Sequence, residues 1–472
     1  MVKEGEVMRI KKFKAEYFIY LFLLLTPFFD SVSFLFREQF PNASISPTTI
    51  LRPLIPCGLL LYIFIKDKNT RKPLLMIGMI YGLYALGHCW TFSHIHTDFN
   101  AGSVLSEIQY VLNYSYMIAL FYVLWWFYKQ ERIPKIRTYL LWMLVIYIVL
   151  IYVSILTGTS STTYIDGVGF KGWNASGNGL SALLILGFLA TFTEILNFKK
   201  KWYVWFFLAF FFFYLMFLFG TRTALFGSIL VVLLYFFCYL FHRFRKNIHL
   251  TKKQISISLV VVVLLVVSLG IGGSTAMKRR QNLKEVGDTM IDPMTGEVTH
   301  LTGDLTRFVQ EIKEKDLSIS MSSEQQQALL KTYQTANDIE LSNSNRRVQQ
   351  LLYHHYYYQE ELSVSTVLFG TGYLNNYPEL TLEMEVPAFF YNFGIVGFIL
   401  YLGPFLFLII SGIYTFFKRH MKVSIDYMMY LGGMGLSVVL SCLTGYVYFY
   451  VPSMLVVVVL FLLFIEEKEK KV

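Results

Sequence analysis

Long apolar runs alternate with short polar segments along most of the chain. Each run holds roughly 20 apolar residues, the length at which a helix crosses the hydrocarbon core of a bilayer. The runs lie at 17–36, 49–65, 74–92, 105–128, 138–157, 177–197, 202–219, 222–241, 254–273, 387–417, 425–446 and 448–465. This pattern predicts an all-α polytopic membrane protein with about 12 transmembrane helices.

A single long polar segment, residues 274–386, separates the ninth run from the tenth. The pattern therefore divides the chain into predicted spans 1–9 (residues 1–273), a large loop (274–386) and predicted spans 10–12 (387–472). The loop carries helical signals at 304–316 and from about Ser344 through RRVQQLLYHHYYYQEEL. We expect a folded, helical loop.

A further helix of this loop is predicted to begin near Ser322 or Ser323. A serine hydroxyl can accept a hydrogen bond from the first turn of a helix. Gln325 or Gln326 stands three residues further on and can bond back, which completes a capping box.

Basic residues concentrate in every second connecting segment. The segments are the N-terminus, KDKNTRK, KQERIPKIR, KKK, HRFRKNIHLTKK, KRHMK and the C-terminal EEKEKK. The positive-inside rule places such segments, and with them both termini, in the cytoplasm. The loop 274–386 is then extracytoplasmic.

Composition agrees with a membrane protein, with 55% hydrophobic and only 15% charged residues. The formal net charge of +10 comes from those short segments, so it does not indicate nucleic-acid binding. The four cysteines all fall within apolar runs and are expected to be packing residues rather than disulfides. They are Cys57, Cys89, Cys238 and Cys442.

Ionisable residues within or beside the spans gather on the predicted outer side, with Glu194 as the exception. They are Asp30, Arg52, His88, Glu107, Arg222, Glu383 and Glu385. Charges in a membrane are costly, so such residues mark functional sites. A transporter would place them nearer the midplane. The alternative for Asp30, Arg52 and Glu107 is solvation or pairing with one another, and for His88 it is packing.

Two arginine positions coincide with predicted helix starts. Arg222 stands in FGTRTALFGS between two apolar runs, and Arg346 and Arg347 follow SNSN. A guanidinium beside the free N–H groups of a helix start is suited to a phosphate. Two such sites on the outer side would suit a diphosphate. The alternative for Arg346 and Arg347 is a solvated helix face.

Two other patterns contain residue types that can bind metals or nucleotides. His94, His96 and Asp98 in HIHTDF are metal-ligand types, but an HxH in a helix points its side chains apart. No metal site and no cofactor are predicted. The GTG at 370–372 is too short for a nucleotide loop.

Three segments carry a family resemblance: FLFGTRTALFGSILVVLL, SNSNRRVQQLL, and LFGTGYLNN followed by FFYNFGIVGFILYLGPF. Together with the layout of many spans and one late loop, they resemble the O-antigen ligase and polysaccharide polymerase family (the Wzy/WaaL type). The resemblance covers roughly residues 200–410. It implies a GT-C-like ligase or polymerase architecture in a bacterial cell membrane.

What the resemblance implies is sugar transfer on the outer face, from a polyprenyl-diphosphate-linked oligosaccharide to an acceptor hydroxyl. Arg222 matches the family's membrane-embedded arginine, and Arg346 matches its loop arginine better than Arg347 does. Arg52 is a further candidate ligand of the diphosphate. The implied partners are a lipid-linked donor and acceptor, membrane lipids, a flippase and a chain-length regulator, without nucleic acid.

The sequence departs from the ligase pattern after the GTG segment, where ligases have a His-Asn pair. This chain has TLEMEVPAFF there. A carboxylate can act as the base, so Glu385 is the first candidate and Glu383 the second; the alternative is that they pair with loop cations.

Supporting roles are assigned to His354, His355, Asp30 and Glu107. The departure favours a polymerase. The alternatives are a ligase that passes the glycan to another acceptor, and a lipid-oligosaccharide transporter or flippase.

Overall fold

The computed structural model describes residues 15–40, 46–95, 101–164, 167–196, 202–246, 260, 262–270, 290–291, 298–299, 304–314, 321–339, 341, 346–373, 380–419 and 422–470. Residues 274–289 and 342–345 of the predicted loop, and 374–379 of its GTGYLNN segment, lie outside the described residues, as do His96 and Asp98.

The first half of the chain is a series of apolar helices joined by short connections. They are α1 (Glu16–Gln39), α2 (Pro47–Lys66), α3 (Arg71–Ile95), α4 (Ala101–Lys129), α5 (Ile136–Leu156), α6 (Gly177–Leu196), α7 (Trp202–Leu218) and α8 (Arg222–Lys246), with residues 262–270 forming α9. A one-turn 3₁₀ helix, Lys68–Thr70, precedes α3. Between α5 and α6, β1 (Ser161–Thr162) and β2 (Phe170–Gly172) pair antiparallel.

The second half contains the loop and the remaining apolar helices. A short antiparallel pair, β3 (Met290–Ile291) and β4 (Val298–Thr299), comes first. The helices are α10 (Asp304–Lys313), α11 (Ser323–Asp338), α12 (Arg346–Glu360), α13 (Val364–Phe369), α14 (Glu385–Tyr401), α15 (Gly403–Lys418), α16 (Ile425–Leu443) and α17 (Val451–Glu469).

The predicted helical class is confirmed, while the count of twelve spans stays a prediction. Among the described residues, six helices are long and apolar enough to cross a membrane. They are Glu16–Gln39, Lys68–Ile95, Glu107–Lys129, Ile136–Leu156, Arg222–Phe241 and Ile425–Leu443. A bent pair, Glu385–Tyr401 with Gly403–Lys418, makes a seventh if it is one span.

Helix α17 is the centre of the bundle. Every side chain from Pro452 to Ile465 is buried, and the helix packs against α4, α5, α6, α15 and α16. A helix that is apolar on all sides is expected to be surrounded by other helices. The opposite holds for α3, where Leu83 and Leu86 are more than half exposed and face the predicted lipid.

The loop helices have a small hydrophobic core of their own. Side chains of α10, α11 and α12 meet there, including Phe308, Leu329 and Tyr357. The predicted capping box is confirmed: Ser322 Oγ accepts from Gln325 N–H, and Gln325 Oε1 accepts from Ser322 N–H. The loop attaches to the bundle through α13, which packs on α3 and α14.

Two predicted boundaries differ from the structure. The apolar run 387–417 is divided into α14 and α15, whose axes bend by 51°. The runs 425–446 and 448–465 meet at a longer connection, because α16 ends at Leu443 and α17 begins at Val451. Hydropathy follows apolar character, which continues across both breaks, so it does not locate them.

Helix α14 is also broken internally at Gly394, where φ is 68°. The break leaves backbone carbonyls free, and the GTG segment uses them: Thr371 N–H donates to Tyr391 O at 2.9 Å and Gly372 N–H to Asn392 O at 3.0 Å. A Cβ on Gly394 would lie 2.5 Å from Leu368 O. Glycine is therefore required where the two backbones meet.

We expect Gly394→Ala to destabilise the protein by at least about 2 kcal/mol, since it combines a left-handed φ with a backbone clash. Gly58→Ala in α2 is the matched control, because its Cβ would meet nothing within 4 Å. The measurement is the thermal unfolding midpoint of the purified protein in detergent. Equal midpoints for the two variants would contradict this view of the break.

Candidate active site

The two ends of the helix bundle differ in their polar contacts. At one end, Lys129 Nζ lies 2.5 Å from Glu469 Oε1, and Arg137 lies 3.5 Å from Asp426. At the other, which we call the site end, α1 ends and α2, α6, α8, α14 and α17 begin. The site end brings together most of the ionisable residues singled out from the sequence.

A turn at residues 444–450, the 444–450 turn, connects α16 to α17 at the site end. Its first residues are left-handed, with φ of 69° at Gly445 and 61° at Tyr446. The Glu385 carboxylate lies against it and accepts hydrogen bonds from the N–H groups of Tyr448 and Phe449 at 2.5–2.9 Å. Glu385 is 1% exposed. Its carboxylate therefore fastens the start of α14 to this turn.

Asp30 binds the far end of the same turn. Its Oδ2 accepts from Tyr450 Oη at 2.9 Å and also from Tyr147 Oη, and its Oδ1 lies 2.5 Å from Arg52 Nη2. Asp30 and Arg52 thus pair with one another, which is one of the alternatives stated from the sequence. Asp30 joins α1, α2, α5 and the turn, and the charge of Arg52 is balanced by this carboxylate.

Glu107 pairs with His88 rather than with Arg52. Glu107 Oε1 lies 2.5 Å from His88 Nε2, and both side chains are buried. His88 Nδ1 donates to the Phe369 carbonyl at 2.6 Å, because a carbonyl oxygen can only accept. Glu107 Oε2 accepts from Tyr373 N–H at 2.8 Å. The pair therefore holds the GTG segment against α3 and α4.

Glu383 is the more accessible of the two candidate bases. Its carboxylate lies 3.2 Å from Arg347 Nε, and the side chains are 27% and 32% exposed. The backbone of Glu383 touches the 444–450 turn, since a Cβ on Gly445 would lie 1.9 Å from Glu383 O. The Arg347–Glu383 pair thus sits directly beside the turn. Arg346 begins α12 and is exposed.

Arg222 is the first residue of α8, as predicted, and its side chain is exposed. Thr221 caps the helix by accepting from Ala224 N–H at 3.0 Å, and its hydroxyl bonds Ser181 of α6 at 3.0 Å. On the same end of α6, a Cβ on Gly179 would lie 2.7 Å from the Tyr450 ring. The start of α6 therefore separates Arg222 from the 444–450 turn by about the width of one helix.

The two histidines of α12 have different surroundings. His354 is 1% exposed, and its Nε2 donates to Leu380 O at 3.1 Å. His355 is half-buried, with Nδ1 3.2 Å from Tyr391 Oη and Nε2 3.1 Å from Gln359 Nε2. Burial lowers the pKa of His354 to about 4, and the Leu380 carbonyl opposes this shift. His354 is therefore a neutral link between α12 and the segment that precedes α14.

Sequence reasoning missed the tyrosines of this region. Tyr147 and Tyr450 bind Asp30, and Tyr448 bonds Ser437 at 3.0 Å. The available signal was TGYVYFY at 444–450, a glycine followed by aromatic residues between two apolar runs. Such a stretch reads as apolar by hydropathy, although its phenol groups and turn backbone are polar.

Among the described residues, no group of three or more His, Cys, Asp or Glu side chains is arranged to hold a metal ion. The basic residues of the described site end include four arginines, Arg52, Arg222, Arg346 and Arg347. Such groups suit planar, multidentate recognition of phosphate oxygens.

The family model described as O-antigen ligase like membrane protein matches residues 12–470. The chain belongs to the O-antigen ligase-like membrane protein family. No curated protein and no solved structure matches the chain significantly. Membership agrees with the apolar helices: this is a polytopic membrane protein of an enzyme family that acts on lipid-linked glycans.

The low pKa of His354 makes the stability of the loop depend on pH. The unfolded histidine titrates near 6.5 and the folded one near 4, so the unfolded state binds more protons between these values. Stability is fully present above about pH 6.5 and is lost as the pH falls toward 4, by up to about 3 kcal/mol.

His354→Gln keeps a donor for Leu380 O but cannot titrate. Unfolding midpoints of the wild type and this variant, measured from pH 7 to 4.5, should diverge, with the wild type losing more. Parallel curves for the two proteins would exclude this role of His354.

Proposed function

We propose that the protein is an extracytoplasmic glycosyltransferase that polymerises polyprenyl-diphosphate-linked oligosaccharide repeat units into a cell-surface polysaccharide. The observation that carries the proposal is the accessible Arg347–Glu383 pair beside the 444–450 turn, in a chain of this family that also has arginines at the starts of α8 and α12. Both termini are then cytoplasmic, in a bacterial cell membrane, and the site end faces outward.

In the proposed reaction the lipid diphosphate of the donor binds Arg222 and Arg346. The hydroxyl of a second lipid-linked unit attacks the anomeric carbon of the donor sugar, and the bond from that carbon to the diphosphate breaks. The arginines stabilise the charge that develops on the departing lipid diphosphate. Pre-placed charges of this kind commonly supply the largest part of catalysis.

We assign the base to Glu383, which reverses the order expected from the sequence. Both oxygens of Glu385 accept backbone hydrogen bonds in a buried position. The Glu383 carboxylate is partly exposed beside Arg347 and could reach the proton of an acceptor hydroxyl. Glu385 is then a positioning residue that holds the turn, and Arg347 orients Glu383 rather than the diphosphate.

A ligase is the second candidate, because the matching family is described as O-antigen ligase like. The same donor site would serve both reactions. They differ in the acceptor, which is a second lipid-linked unit for a polymerase and another molecule for a ligase. A flippase and a chain-length regulator are expected partners of the polymerase.

The product decides between these functions. Purified protein is incubated in liposomes with lipid-linked repeat units isolated from cells that lack this protein, and the glycans are separated by size. A polymerase produces a ladder at repeat-unit intervals. Transfer to an added acceptor without a ladder indicates a ligase. The absence of any transfer by correctly folded protein would contradict the glycosyltransferase proposal.

Variants test the assigned roles. We expect Arg222→Gln and Arg346→Gln to lower kcat/KM by about 10²–10³-fold through loss of charge stabilisation. Glu383→Gln should lower kcat by about 10²-fold or more with little change in the unfolding midpoint. The matched variant is Glu385→Gln, which should lower the midpoint because it places an amide N–H against backbone N–H groups. A stable, inactive Glu385→Gln beside an active Glu383→Gln would return the base to Glu385.

A further inference from the structure

Tyr446 has a backbone conformation that side chains other than glycine rarely adopt. Its φ is 61°, and among the described residues the other non-glycine residue with a positive φ is Glu131. A bulky residue keeps this conformation only when its surroundings impose it. Strained positions of this kind concentrate at functional sites.

The surroundings that impose it are the two glutamates. Gly445 is also left-handed, and the backbone of Glu383 fills the space where its Cβ would be. On the other side of Tyr446, the Glu385 carboxylate holds the N–H groups of Tyr448 and Phe449. Tyr446 therefore lies between a residue packed on the Glu383 backbone and a segment held by the Glu385 carboxylate.

Tyr446 follows Gly445, which meets the Glu383 backbone, so it lies beside the Arg347–Glu383 pair. Burial raises the pKa of Tyr446, the charge of Glu383 raises it further, and the nearby Arg347 opposes both. Charges act this way over a few ångströms in a site shielded from water. Tyr446 thus forms a third member of the accessible group at Arg347 and Glu383.

The hydroxyl of Tyr446 differs from those of the neighbouring tyrosines. Tyr147, Tyr448 and Tyr450 use their hydroxyls within the protein, whereas within the described part of the chain Tyr446 Oη makes no hydrogen bond. Tyr446 is half-buried. A tyrosine in such a place ordinarily finds a partner for its O–H.

We propose that the hydroxyl of Tyr446 donates a hydrogen bond to an oxygen of the lipid-linked glycan bound at the Arg347–Glu383 pair. The strained turn then serves to present this donor beside the base, so that the sugar that reaches Glu383 is oriented by Tyr446. This inference rests on the proposed function, since it names a further substrate contact of the same site.

A purely structural role of Tyr446 and a contact with substrate predict different effects of Tyr446→Gly on activity. If Tyr446 merely completes the turn, replacing it by glycine relieves the left-handed backbone and leaves activity intact. If Tyr446 binds substrate, the same change lowers activity although the backbone strain is relieved. Tyr446→Phe keeps the ring and the turn and removes only the hydroxyl, so it isolates the substrate contact.

The experiment uses purified full-length protein and lipid-linked repeat units from cells that lack it. Equilibrium binding and transfer are both measured for wild type, Tyr446→Phe, Tyr446→Gly and the control Tyr414→Phe, which removes a hydroxyl from an exposed residue of α15. We expect Tyr446→Phe to weaken binding and raise KM about tenfold. Tyr446→Gly should show the same or a larger loss of binding. The control should match the wild type.

The outcomes separate the two proposals. Wild-type protein that binds the lipid-linked units without transferring sugar refutes the proposed function, while weaker binding by Tyr446→Phe still supports the contact. Wild-type affinity and kinetics in Tyr446→Phe, or full activity in Tyr446→Gly, overturn the Tyr446 inference and leave the proposed function standing. Wild-type protein that does not bind the units overturns both.

Discussion

A buried carboxylate that is held by backbone N–H groups is the constraint on which the site end depends. Glu385 is 1% exposed, and a carboxylate in such a place requires several donors to balance the loss of water. The 444–450 turn supplies them. In return, the carboxylate fixes the turn, and the turn carries the hydroxyl of Tyr450 to Asp30 and the backbone of Gly445 to Glu383.

The carboxylates of the site end divide by what they hold. Asp30 and Glu107 are enclosed, like Glu385, and each joins separate elements: Asp30 connects α1, α2 and α5, and Glu107 connects α3 to the GTG segment. Glu383 differs because its charge is met by one partly exposed arginine. Of these four candidate residues, Asp30, Glu107 and Glu385 build the frame, and Glu383 remains accessible for a substrate.

Much of the frame could be predicted from the sequence, because apolar length and capping are local properties. The capping box at Ser322 and the helix starts at Arg222 and Arg346 are examples. The internal break of α14 could not be predicted in this way, because it depends on contact between Gly394 and the backbone of Leu368, which is more than 20 residues away in the sequence. Hydropathy does not report contacts of that kind.

The sequence indicates which residues belong to the candidate site better than it indicates which partner each of them binds. A charged side chain within a membrane is energetically costly, and this singled out Asp30, Glu107 and Glu385, which all fall on the predicted outer side of the membrane. Which partner each would take depends on packing between distant helices, so Glu107 with His88 and Glu385 with the 444–450 turn could not be read from spacing. The roles of the two glutamates follow from those pairings.

Amide hydrogen exchange at Tyr448 and Phe449 tests the central claim most directly, because these N–H groups are the donors to Glu385. In wild-type protein both amides should exchange slowly. In Glu385→Gln they should exchange much faster, while amides in the middle of α17 keep their protection. Rapid exchange of both amides in the wild type, or unchanged protection in Glu385→Gln, would contradict the account.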